Sequence, residues 1–209
     1  STLSSSSAAS DVYKRQTQTA VNLQLESLED IIAIISLYRP GPMDSIPTYI
    51  ANRHNPQNIR YKTPQLAHIL DVTNGCIVYQ EQVMQICREL AGFSYGQADL
   101  VRRAMSKKKQ AVMDAERRHF VYGSTEPGRE CPGCVNNGIS AEVANSIYDE
   151  MSSFASYAFN KSHAACYAVV AYQTAYLKCH YPCQFMAALL TSVLDNTNKV
   201  IQYLSLIHI

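Results

Sequence analysis

The sequence predicts a mainly α-helical protein with little or no sheet, and three observations support this fold class. Apolar residues recur at helical spacing along most of the chain between residues 17 and 203. The only strand-like stretch is Cys76-Ile77-Val78, which is too short to form a sheet. The 209 residues are 47% hydrophobic and 17% charged, which excludes a wholly disordered polypeptide.

Both ends of the sequence look unrelated to this helical part. Residues 1–10 contain six Ser and no charge, and residues 1–16 have neither a helical nor a strand period. We therefore expect residues 1–16 to be a disordered, non-native flank, and residues 204–209 to be a second non-native flank. Residues 17–203 are then expected to form one domain that is a fragment of a longer protein.

Start and stop signals divide residues 17–203 into successive helices. Ser27, with Asp30 three positions later, forms a capping box, and the prolines of residues 39–42 end the helix that follows it. Gly92 is expected to close a helix with one apolar face. The predicted helices cover residues 28–38, 65–70, 79–90, 97–105, 110–122, 140–157, 162–180 and 184–194. The stretch 164–177 is too short to span a membrane, and its apolar composition predicts a buried core helix.

Charge and cysteine content exclude other classes. Eighteen Lys and Arg against 17 Asp and Glu give a net charge of +1, so a phosphate or nucleic-acid partner requires a local basic patch. Seven cysteines without a secretory signal favour free thiols in the cytoplasm. Cys131 and Cys134 have zinc-knuckle spacing, but no further ligand pair lies nearby in sequence, so we expect no metal site.

The first candidate for chemistry is a basic run, in which five cations fall within eight positions and no acid interrupts them. Its members are Arg102, Arg103, Lys107, Lys108 and Lys109. Such a density of cations attracts phosphate, and the planar guanidinium of arginine can donate two hydrogen bonds to phosphate oxygens. The alternative is a solvated helix end, with lysines near the negative pole of the helix dipole.

The second candidate is the segment 159–163, which stands where the long apolar helix begins. A helix start exposes unpaired amide donors and a partial positive charge, so Lys161 and His163 would complete a triphosphate or phosphodiester site. The alternative is that Asn160 or Ser162 only caps the helix and that His163 is structural. No complete catalytic set or Gly-rich phosphate loop accompanies either candidate.

Five sequence motifs occur in one order along the chain. They are SLYRPGPM (36–43), VYQEQVM (78–84), ADLVRRAMSKKK (98–109), FNKSHAA (159–165) and AYQTAYLK (171–178). Together they closely resemble the fingers region of the bacterial replicative DNA polymerase III alpha subunit, a C-family polymerase. The resemblance runs from about Leu23 to Tyr203.

The resemblance implies a multi-helix fingers domain that closes over the nascent base pair beside a palm domain. In that family the palm aspartates hold two Mg²⁺ ions, so no catalytic or metal-binding residue is expected in this chain. The fingers bring basic side chains to the triphosphate of the incoming nucleotide. By this likeness the nucleotide-binding candidates are Arg102, Arg103, Lys161 and His163, and the further candidates for phosphate or DNA contact are Arg39, Lys107, Lys108 and Lys109.

The parent protein implied in this way is a DNA-directed DNA polymerase that adds dNTPs to a primer 3′ end. Its implied partners are primer–template DNA, the dNTP, the palm and thumb of the same chain, and replisome subunits such as the sliding clamp, which regions outside this chain would contact. A cytoplasmic location without a membrane partner is expected, and the isolated fragment should be inactive without the palm aspartates. The alternatives are a stand-alone helical nucleic-acid-binding module without catalysis and a helical scaffold with a structural zinc.

Overall fold

The computed structural model describes residues 17–39, 42–107, 109–155 and 158–207 of the chain, and this part is mainly α-helical, as the sequence predicts. Twelve α-helices and four short 3₁₀ turns occur in these ranges, and no named strand does. The expected disorder of residues 1–16, the turn at Pro40 and Gly41, and the position of Lys108 lie outside the described residues.

The helices are numbered here in chain order. They are α1 (17–23), α2 (Leu28–Leu37), α3 (Ile46–His54), α4 (Ala67–Leu70), α5 (Gln80–Ala91), α6 (Tyr95–Ser106), α7 (Gln110–Tyr122), α8 (Gly133–Asn136), α9 (Ala141–Ala155), α10 (Lys161–His180), α11 (Pro182–Thr191) and α12 (Thr197–Ile207). The sequence did not predict α1, α3, α8 or α12, and α12 extends into the stretch that was expected to be a flank.

Several helix ends have the geometry that the sequence predicts. The Asp30 amide donates to Ser27 Oγ at 3.3 Å, and the Ser27 amide donates to Asp30 Oδ2 at 2.9 Å, which completes the capping box before α2. Gly92 ends α5 with φ +73°. A β-carbon at that position would lie 2.6 Å from the ring of Pro132, so glycine is required both by the backbone and by the close neighbour.

The core of the first part of the chain lies around α5. The predicted apolar face of this helix is buried and packs against α6, α7 and α9; its members include Val83, Ile86, Cys87 and Leu90. Phe120 of α7 packs against Tyr148 of α9 with ring centroids 5.5 Å apart. The Tyr148 hydroxyl donates a 2.9 Å hydrogen bond to the Met113 carbonyl, so this buried phenol is satisfied.

The chain divides into one compact unit up to Ala165 and another from Cys166 onward, with the boundary inside α10. The second unit contains a cavity of about 380 Å³ that is lined mainly by Leu177, Tyr181 and Phe185. No helix in the described ranges is long and apolar enough to cross a membrane.

The prediction that residues 164–177 form a buried core helix is wrong for most of the large side chains. Tyr167 and Val170 are each 59% exposed and Tyr172 is 54% exposed, whereas Ala164 and Ala168 are fully buried. An apolar composition indicates that a helix packs against another apolar surface. It does not indicate that this second surface belongs to the same 209 residues.

Candidate functional site

A single parallel pairing between residues 79 and 159 brings two of the sequence motifs together. The Phe159 amide donates to the Val78 carbonyl at 3.3 Å, and the Gln80 amide donates to the Phe159 carbonyl at 3.0 Å. We call this pairing the 79–159 bridge. It places the N-terminus of α5 beside the segment that leads into α10. The strand-like stretch of the sequence therefore precedes a bridge residue and does not form a strand in the described residues.

The buried amide of Gln82 holds one side of the 79–159 bridge in place. Its Oε1 accepts hydrogen bonds from the amides of Val78 at 2.9 Å and Tyr79 at 3.0 Å. Its Nε2 donates to the Ile69 carbonyl at 3.0 Å and to Thr73 Oγ1 at 2.7 Å. Both N–H donors and both acceptor positions of this side-chain amide are used, so the start of α5 has a fixed position.

Arg102 reaches the same place from α6. Its Nε and Nη2 donate to Asp99 Oδ1 at 2.9 Å and 2.7 Å, and its Nη1 donates to Gln80 Oε1 at 3.1 Å. Gln80 Nε2 in turn donates to the Ala158 carbonyl at 3.0 Å. Gln80 therefore connects Arg102 directly with the segment that precedes α10.

The other members of the basic run have different surroundings. Arg103 Nη2 lies 2.7 Å from Asp99 Oδ2, and its side chain is 66% exposed, against 25% for Arg102. The pKa of the Asp99 carboxyl is lowered, chiefly by its hydrogen bonds from Arg102, so this group is ionised at neutral pH. Lys107 and Lys109 are exposed, and neither forms an ion pair within the part of the chain that the structure describes.

A carboxylate of the chain itself occupies the N-terminus of α10. The Lys161 amide lies 3.1 Å and 3.2 Å from the two oxygens of Glu81, and Asn160 Nδ2 donates to Glu81 Oε1 at 3.0 Å. The His163 amide donates to Asn160 Oδ1 at 2.9 Å, so Asn160 caps the helix. A phosphate group would have to displace Glu81 to reach the Lys161 amide.

Side chains of three other candidates gather beside the 79–159 bridge. Lys161 Nζ lies 3.0 Å from Glu29 Oε2 and 5.3 Å from the ring centre of Tyr79. The His163 ring meets the Phe159 ring edge-on at 5.3 Å, and the Arg39 guanidinium lies 4.7 Å from the centre of that same ring.

The site therefore contains some of the predicted residues together with others that the sequence did not predict. The described contacts join Arg39, Arg102, Lys161 and His163 around the bridge, and they include neither Lys107 nor Lys109. The residues missed as site members hold a cation, the bridge or the start of α10, and they are Glu29, Gln80, Glu81, Gln82 and Asp99. The available signal was the motif at residues 78–84, in which Gln82 is at the third helical position, where a side chain can reach back to the preceding amides.

The described residues do not offer the ligands that a metal centre requires. No group of three or more His, Cys, Asp or Glu side chains among them is arranged to hold a metal ion. No step of the chemistry is therefore assigned to a metal ion held by the described residues. Cys131 and Cys134 are buried, and burial raises the pKa of Cys134 to about 12.

Comparison with known proteins gives one consistent result. A family model described as the bacterial DNA polymerase III alpha subunit finger domain matches residues 13–128. The DNA polymerase III subunit alpha of Bacillus subtilis (strain 168) is 48% identical over 182 residues, which cover 87% of this chain and 15% of that protein. The corresponding subunit of Thermus aquaticus is 47% identical over 193 residues, which cover 90% of this chain and 15% of that protein. The chain thus spans about 15% of the length of these relatives.

Proposed function

Because this chain belongs to the family of bacterial DNA polymerase III alpha subunit finger domains, we propose that it binds the incoming dNTP within a longer replicative DNA polymerase. In that protein it would act with primer–template DNA and with the palm and thumb, and regions outside this chain would contact the sliding clamp. The observation that carries the proposal is the grouping of Arg102 and Lys161 beside the 79–159 bridge. The catalytic aspartates and their Mg²⁺ ions are assigned to residues outside this chain.

Arg102 has the donors that a triphosphate requires. A guanidinium carries five N–H groups, and the contacts with Asp99 and Gln80 use three of them, which leaves one on each terminal nitrogen. Two donors on one guanidinium can bind phosphate oxygens. Lys161 adds a second cation, which lies near the ring of the bridge residue Tyr79. Such fixed cations stabilise the charge that shifts towards the leaving phosphates as the new bond forms.

The proposal is tested by single-nucleotide incorporation with the full-length polymerase that contains this segment. Hydrogen bonds to charged groups contribute about 1.5 to 3 kcal/mol, so Arg102→Ala should lower kcat/KM for the nucleotide by about 10- to 150-fold. Arg102→Lys should restore only part of this loss, because it restores the charge without the planar fork. Arg103→Ala should have the smaller effect of the two, since Arg103 is the more exposed. Arg118→Ala, at an exposed position on α7, is the matched control.

A second function is favoured by the exposed Lys107 and Lys109, which would suit a module that binds the nucleic-acid backbone without selecting a nucleotide. Competition binding separates the two functions. If the nucleotide competes for binding in a manner that depends on Arg102, the polymerase function is supported. If DNA binding is indifferent to triphosphate, and Arg102→Ala lowers primer–template affinity alone, the module is the better description.

A further inference from the structure

Gln80 lies at the centre of the candidate site, although none of the proposed nucleotide contacts involves it. Three of its groups are bonded: the backbone amide to the Phe159 carbonyl, Oε1 to Arg102 Nη1, and Nε2 to the Ala158 carbonyl. It is also the first residue of α5, whose start is fixed by the buried side chain of Gln82. Gln80 is therefore a rigid link between α6 and the segment that leads into Lys161.

The side chain of Gln80 is uncharged and holds Arg102 from a different helix, and in both respects it differs from Asp99. Asp99 also holds Arg102, but it does so from the same helix and neutralises part of the guanidinium charge. The amide of Gln80 holds the remaining nitrogen from another helix and leaves the charge of Arg102 available for an anion. Its second bond, to Ala158, sets the guanidinium relative to the segment before α10. Binding of a polyphosphate by two cations depends on their separation, because each must meet its own phosphate oxygen.

We propose that Gln80 is a positioning residue for the triphosphate, which acts by fixing the guanidinium of Arg102 relative to Lys161. This inference rests on the proposed function, since it requires that Arg102 contacts the nucleotide. It assigns no direct contact with substrate to Gln80. It also predicts that the effect of Gln80 disappears when Arg102 is absent.

The test uses Gln80→Met in the full-length polymerase, which keeps the length of the side chain and removes both of its hydrogen bonds. The kcat/KM for the nucleotide should fall by about 2- to 12-fold, the range for loss of one ordinary hydrogen bond. Gln85→Met is the matched control, because Gln85 is on the same helix and, among the described residues, its side chain bonds to Glu89 at an exposed position. Gln80→Ala should reproduce the Gln80→Met result, and the thermal midpoint of each variant shows whether it is folded.

A double-mutant cycle separates positioning from a general structural role. If Gln80 acts through Arg102, Gln80→Met should cause no further loss of kcat/KM in the Arg102→Ala variant. An equal loss in both backgrounds would overturn the inference. If Arg102→Ala itself leaves incorporation unchanged, the proposed function has failed. If Arg102→Ala impairs incorporation and Gln80→Met does not, only the role of Gln80 has failed.

Discussion

If Arg102 and Arg103 bind the nucleotide as proposed, the negative charge of Asp99 opposes that binding, and its neutralisation should strengthen nucleotide binding. In Asp99→Asn the side chain keeps an oxygen that can accept from Arg102, but its negative charge is lost. Arg103, which Asp99 also engages, is released at the same time. The variant therefore increases the net positive charge of the site with little change of shape.

The expected gain in nucleotide affinity depends on how far the Asp99 side chain is exposed to solvent, which is 27%. Partly exposed ion pairs contribute about 0.2 to 1 kcal/mol, and the two hydrogen bonds from Arg102 to Asp99 Oδ1 favour the upper half of that range. The KM for the nucleotide should then fall by about 2- to 5-fold in steady-state incorporation with the full-length polymerase. Because the pKa of Asp99 is lowered, the wild-type carboxylate remains ionised on the acid side of neutrality, and the ratio of the two KM values should be constant between about pH 6 and pH 8.

Asp114→Asn provides the control for this experiment. It makes the same change of charge on α7, where Asp114 accepts an exposed hydrogen bond from Gln110 at 2.8 Å. Its KM should equal that of the wild type. A rise in KM for Asp99→Asn would refute the competition argument, and it would show that Asp99 is needed to orient Arg102.

Four further predictions concern the chain itself. The purified 209-residue chain with Mg²⁺ should extend a primer no more than a protein-free control does, and any extension above that control would place catalytic aspartates inside it. Elemental analysis should find no stoichiometric zinc; the opposite result would be bound zinc that Cys131→Ser removes together with the fold. Tyr148→Phe should lower the free energy of unfolding by about 0.5 to 1.5 kcal/mol in chemical denaturation, because its hydroxyl donates to Met113. Tyr79→Phe should leave this energy unchanged or raise it, because the buried Tyr79 hydroxyl has no partner among the described residues, and a larger loss than in Tyr148→Phe would contradict this account.

The parts of the fold that the sequence predicts well are those whose signals are local. The capping box at Ser27, the glycine at the end of α5 and the apolar face of that helix each depend on residues a few positions apart. Helix α3 was missed because it starts with Ile46-Pro47 directly after a 3₁₀ turn, and no side chain caps it.

The candidate site is less predictable because its decisive contacts join residues that are distant in sequence. A glutamate at position 81 reads as an ordinary first-turn acid, and only the fold shows that it caps α10. The same is true of Gln80, whose partners are on α6 and in the segment before α10. The sequence indicates which cations are present, but it does not indicate which acids hold them.

The 79–159 bridge also affects the order in which the chain folds. Its closure joins residues about 80 positions apart, and the entropy lost in closing such a loop must be offset before the contact becomes favourable. Helices α5, α6 and α7 follow one another closely along the chain and can pack as soon as they exist, whereas the bridge must wait until Phe159 has been synthesised. We therefore expect the helical core to form first on the ribosome, and the surface that gathers Arg102 and Lys161 to be among the last parts of this unit to become native.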